Sequence, residues 1–134
     1  MSYDVVQGGL VVSRVAGETL AANRVVVLDS TQGQVIYPDH DTDTPFGVTL
    51  EGVDSGQHVA VVTGSAIVKI RTANAVAANA RVSISGTSGD IDDAADGTVS
   101  TKYVGLSLEA SSEGGVEIPV AINLPGVCED GGAS

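Results

Sequence analysis

The densest run of groups able to do chemistry is PDHDTDT, which brings Asp39, His40, Asp41 and Asp43 together. Alternate carboxylates on a loop offer several hard oxygen donors, the kind of set that Ca²⁺ takes. The run lacks the central glycine and distal Glu of a helix–loop–helix calcium site, and a solvated acidic loop fits it equally well. A second acidic run, DIDDAAD, holds Asp90, Asp92, Asp93 and Asp96. Residues 39–43 and 90–96 are therefore a matched pair of acidic loops, open to the same two readings.

The histidines are His40 and His58, and no cysteine or serine motif accompanies either. There is no G-x-S-x-G elbow, no H-E-x-x-H helix and no S-x-x-K arrangement. GTSG at Gly86–Gly89 reads as a turn, because it lacks the lysine and following helix of a phosphate cradle. Glu51 and Glu109 could in principle share general acid–base work. Their matching positions in two similar segments make a repeat feature the simpler explanation. No catalytic residue, no metal-ligand set and no cofactor is expected.

The elements that would position these groups come in two similar sets. LAANRVVVLDSTQGQVIYP and PFGVTLEGVDSGQHVAVVT in the first half are echoed by VAANARVSISGTSGDID and YVGLSLEASSEGGVEIPVA in the second. The AAN elements begin at Ala21 and Ala77, 56 residues apart (77 − 21), and Gly47 and Gly105 are 58 apart (105 − 47). A near-constant offset implies an internal duplication, with units about 18–70 and 74–124.

Expected strands are Leu10–Val15, Arg24–Leu28, Gln34–Tyr37, Gly47–Glu51, His58–Thr63, Ala66–Ile70, Arg81–Ser85, Tyr103–Glu109 and Val116–Ile122. Alternation places Val104, Leu106 and Leu108 on one face and Gly105, Ser107 and Glu109 on the other. Short strands at this spacing, with turns such as VDSGQ and GTSGD, read as a small all-β barrel or sandwich with at most one short helix. Asn23 and Asn79 each precede a strand, where a left-handed residue would turn the chain. The rival there is a short helix over 73–79.

Hydrophobic residues make up 43 % of the 134-residue chain but aromatics only 3 %, so one aliphatic, valine-rich core is expected. Stacking platforms for sugars or single-stranded nucleic acid need more aromatics than Tyr3, Tyr37, Phe46 and Tyr103 supply. A net charge of −11 argues against nucleic acid and against anionic membranes as partners. It fits either an ordinary acidic surface domain or a protein of a salty environment. The single Cys128 cannot form an internal disulfide. The start shows no secretory signal, and no segment is long and apolar enough to span a bilayer. The chain is expected to be soluble and made in the cytoplasm.

Residues 1–9, with Tyr3, Val5 and Val6 before Gly8 and Gly9, read either as an arm or as the first strand of the barrel. Residues 10–126 form a single β domain, and 127–134 a flexible tail.

From about Val12 to Leu124 the order is AGETLAANRVVVLD, TPFGVTLEGVDSGQHVAVVTGSAIVKI, ANAVAANARVSIS and KYVGLSLEASSEGGVEIPVAI. This order resembles the small head-decoration, or cement, proteins of tailed viruses. The resemblance implies a non-enzymatic β-rich virion protein, a homotrimer, on the outer face of an HK97-type lattice of major capsid protein. Its role would be to clamp that shell against the pressure of packaged DNA, after synthesis in the host cytoplasm. Tyr3, Val5, Val6 and Leu10 would then be the capsid-contacting arm. The acidic loop at 38–44 and the charged tail depart from the family pattern, so loop contacts are not carried over. The alternative is a tail- or surface-associated β-module that binds a host receptor through the acidic loops.

Overall fold

Among the described residues, valine alternation and frequent turns give nine strands and no helix. The computed structural model describes residues 7–30, 33–39, 43–93 and 103–124. In chain order the strands are β1 (Gln7–Val15), β2 (Val25–Leu28), β3 (Val35–Ile36), β4 (Gly47–Thr49), β5 (His58–Arg71), β6 (Arg81–Ser85), β7 (Asp90–Asp93), β8 (Tyr103–Ser107) and β9 (Glu117–Leu124). Their ladders are antiparallel, in the order β3-β2-β4-β5-β9-β8-β6-β7, with β1 pairing to β5 off this path. The all-β expectation holds.

Two local expectations are corrected, and one rival reading is removed. The separate strands His58–Thr63 and Ala66–Ile70 are one strand, β5. Gly64 adopts φ 81° and β1 shifts register between Gly8 and Leu10, so a bulge bends β5 instead of ending it. The acidic segment beginning at Asp90 is not a loop through Asp93. Ile91 is fully buried and pairs with Ile84, which fixes β7 as a strand. Asp96 lies outside the described residues. Residues 73–79 are not helical: Val76 N–H reaches Ser111 C=O at 3.1 Å and Ser111 N–H returns to Val76 at 2.8 Å. Pairing with a distant segment overrides alanine's local preference in a stretch too short to nucleate a helix.

The duplication reappears in the hydrogen bonding. The parallel bridge Ala16–Val35 is repeated by Thr72–Ile91, and the antiparallel Leu20–Val53 by Val76–Ser111. The β2–β3 pairs Val27–Ile36 and Leu28–Val35 are repeated by Ser83–Asp92 and Ile84–Ile91 in β6–β7. The β1–β5 pair Val15–His58 corresponds to Arg71–Glu117 in β5–β9. Strand β5 thus takes part in both halves, and β1 corresponds to its second part. Each half curls until a single bridge, from Ala16 or Thr72, meets its outermost strand. Of the expected arm 1–9, Gln7–Gly9 belong to β1; residues 1–6 and the tail 127–134 lie outside the described residues.

The repeated AAN elements are tight turns locked from inside. Asn23 and Asn79 have φ 62° and 60°, the left-handed conformation that Asn tolerates with little cost. Opposite each stands a fully buried hydroxyl. Thr49 donates to Ala21 C=O at 2.6 Å and accepts from Arg24 N–H at 3.1 Å. Ser107 donates to Ala77 C=O at 2.6 Å and accepts from Ala80 N–H at 3.0 Å. The glycines two residues upstream are explained by space. A Cβ on Gly47 would meet Val61 and the Val62 carbonyl, and one on Gly105 the Ala121 carbonyl.

Two apolar clusters share β5 as a wall. Val59 and Val61 join a small cluster with Ala16, Leu20, Val26 and Val35. Val62, Ala66, Val68 and Ile70 join a larger one that spans the second half and the outer side of β2 and β4. Each fully buried valine contributes roughly 1.5–3 kcal/mol relative to exposure.

Candidate functional site

Leu10 and Val11 are adjacent in β1, so the period of two sends their side chains to opposite faces. Both are exposed, 60 % and 52 %. The cause is topological: among the described residues β1 has a ladder only to β5, and Ala16, just past its end, makes one bridge to Val35. Gly9 holds this strand close to β5, because a Cβ there would lie 2.8 Å from Ala66 Cβ and 2.9 Å from Thr63 O. An apolar edge strand without a ladder on its outer side is a template for partner binding unless it is blunted. Of the sequence-predicted contact residues, Leu10 lies on this edge. Tyr3, Val5 and Val6 lie outside the described residues.

The second exposed apolar patch is one that alternation misplaced. Val104 is buried as expected, but Leu106 and Leu108 are exposed, 36 % and 43 %, while Ser107 is buried. The register shifts between Val82 and Ser83 opposite β8, so Val82 faces Gly105 and Ser83 faces Tyr103. The extra residue reverses the facing of everything after Val104. No single-strand pattern carries that signal; only the glycine within Val104–Leu106 hints at it. Arg81 lies over the Tyr103 ring at 5.2 Å beside this patch.

The acidic residues are dispersed by the fold. Asp43 accepts a hydrogen bond from the Asp39 N–H at 2.9 Å, while His40 and Asp41 lie outside the described residues. Asp90 faces inward, 3.8 Å from Arg24 Nε. Burial raises its pKa above the ordinary carboxylate range, and the Arg71 and Arg24 guanidiniums pull it part of the way back. Asp92 accepts from Asn74 Nδ2 at 3.0 Å and from the Asp93 N–H at 2.8 Å. Among the described residues no three His, Cys, Asp or Glu side chains are grouped to hold a metal ion.

Glu51 is exposed and accepts from the Ala60 N–H at 3.2 Å, and Glu109 is exposed at the corresponding position of the second half. His58 is exposed, with Nδ1 3.2 Å from Ser13 Oγ. What the geometry offers is a surface: an open strand edge, an apolar patch on the other half, and a rigid frame between them.

That arrangement is an all-β module with an exposed apolar strand edge. The chain belongs to the phage cement protein family, whose model matches residues 6–122. It is similar in fold to the head fiber gp8.5 N base of bacteriophage phi29, with a TM-score of 0.67 at 16 % identity, over 92 % of this chain and 100 % of that one. No curated protein matches the sequence.

Proposed function

We propose that this protein is a non-enzymatic decoration protein that binds the outer surface of an HK97-type lattice of major capsid protein and stabilises it against internal DNA pressure. The observation that carries the reading is the open, apolar edge of β1, with Leu10 and Val11 exposed, on the fold of a family of phage cement proteins. A head fiber base with a similar fold supports a place on the phage head. The physics needs no chemistry at the site. A protein that binds only the assembled lattice stabilises it by mass action, and a homotrimer touching several subunits gains through effective concentration.

The test is co-sedimentation with undecorated, expanded capsids. The wild-type chain should saturate the lattice at a fixed stoichiometry and raise the temperature at which capsids release DNA. Leu10→Glu with Val11→Glu should abolish both while leaving the fold intact. Saturation without any gain in capsid stability would refute the cement role, and no co-sedimentation would favour the receptor-binding alternative.

A further inference from the structure

The contact between the two halves of the chain has one unused copy of each of its surfaces. In the first half, the outer side of β2 and β4 carries Val25, Val27 and Val48, and all three are buried in the larger cluster. Leu50 packs against that cluster too. The second half closes over the rim of this face at two points. Gly89 C=O accepts from the Val25 N–H at 2.8 Å, and the Arg71 N–H donates to Asn23 C=O at 3.0 Å. The fit at Gly89 is tight, because a Cβ there would lie 2.7 Å from Val25 O and 2.8 Å from Arg24 Cβ.

By the repeat, the same face on the second half consists of Asn79, Arg81, Leu106 and Leu108, corresponding to Asn23, Val25, Val48 and Leu50. Leu106 and Leu108 are exposed where Val48 is fully buried. The covering elements Arg71 and Gly89 correspond to Val15 and Gly33 in the first half. Gly33 repeats the left-handed backbone, φ 75° against 78° at Gly89, yet among the described residues a Cβ on it would meet only Arg14 Nη1, at 4.0 Å. Among the described residues, one chain therefore presents an unfilled socket at one end and a matching plug at the other.

We propose that a second copy of this chain seats its Gly33 turn and the Val15 end of β1 on the Asn79–Arg81–Leu106–Leu108 face, repeating between molecules the contact made within one. The expected bonds are Arg81 N–H to the neighbour's Gly33 C=O and the neighbour's Val15 N–H to Asn79 C=O. Such a contact is heterologous, so it generates a ring when the rotation closes. Arg81, which is exposed, stands where the internal contact has the fully buried Val25, so this face is wetter and the association reversible. With a net charge of −11 on each copy, added salt strengthens it.

The experiment is sedimentation velocity of the full chain across a concentration series in moderate salt, without capsids, so its failure is separate from failure of lattice binding. Wild type should form a closed oligomer. Leu106→Glu and Leu108→Glu block the socket, and each should weaken association ~30-fold or more. Gly33→Asn blocks the plug: Asn accepts the left-handed backbone and has room in the isolated chain, but its Cβ would strike the neighbour's Arg81 carbonyl. Melting curves establish that each variant folds. A mixture of Leu106→Glu with Gly33→Asn should give a dimer and nothing larger, because one live socket meets one live plug. A monomeric wild type, variants that assemble like wild type, or a mixture that stays monomeric overturns the proposal.

Discussion

Replacing Thr49 by Val tests whether the AAN turns are held by the buried hydroxyl behind them. The substitution keeps the shape and removes the bond donated to Ala21 C=O at 2.6 Å and the one accepted from Arg24 N–H at 3.1 Å. Thr49 is fully buried, so water does not readily replace the lost partner. An unpaired buried polar group costs ~1–3 kcal/mol; Ala21 and Arg24 are half-buried, so the lower part of that range applies and the two left here cost ~2–4 kcal/mol together. At ~4 °C per kcal/mol for a domain of this size, the thermal midpoint should fall ~8–15 °C. Ser107→Ala in the second half should cost a similar amount, since its bonds to Ala77 and Ala80 repeat the same geometry. The backbone half of the lock is tested by Asn23→Ala, which places alanine at φ 62° and should cost ~1–2 kcal/mol. Asn23→Gly should be near neutral. Urea titrations of the four variants, with unchanged m-values, give the free energies. A Thr49→Val protein that unfolds with wild type would refute the lock.

Gly105→Ala should unfold the protein or cost ~1–3 kcal/mol or more, because the new Cβ would strike the Ala121 carbonyl of the neighbouring strand; chemical denaturation reads this directly. Asp90 has a pKa raised by burial, so its charged form opposes folding at neutral pH. That opposition fades as pH falls through the folded pKa and is gone below the unfolded value. Asp90→Asn should therefore melt higher than wild type at about pH 7 and equal to it at about pH 3; a lower midpoint at neutral pH would mean that attraction to Arg24 and Arg71 outweighs burial. With a net charge of −11, wild type should melt at higher temperature as salt rises from low to molar, and a flat calorimetric response would count against like-charge strain.

The parts of the fold legible in the sequence are those that depend on local conformation. Asn23 and Asn79 announced left-handed turns because few other residues accept them, and both have positive φ. Gly47 and Gly105 marked the repeat, although their reason, close approach of the adjacent strand, needs coordinates. What escaped depends on pairing between distant segments. Leu106 and Leu108 follow perfect alternation, but a bulge opposite Ser83 turns them outward. Ile91 sits among four aspartates and looks like loop, yet its partner Ile84 buries it. Of the candidate docking surface, Leu10 was legible as an apolar residue behind two glycines. Its neighbour Val11 was not, because only the missing ladder on the outer edge of β1 exposes both faces at once.

The duplication also explains why two equivalent halves are not equally apolar. Val25, Val27 and Ile36 on the first half become Arg81, Ser83 and Asp92 on the second, at positions matched by strand register. The first set faces another half of the same chain and must be dry. In the second, Arg81 is exposed and Asp92 half-buried, while Ser83 is buried; charged groups on an outer face are what a terminal repeat carries. Had all three remained apolar, the contact between copies would be as permanent as the one within a chain; had Leu106 and Leu108 changed as well, nothing would remain for a neighbour to grip. The reversal Arg81→Val with Ser83→Val separates these effects. It should hold the closed oligomer together at lower protein concentration and with less dependence on salt in sedimentation, and an unchanged concentration and salt dependence would show that this face takes no part in self-association.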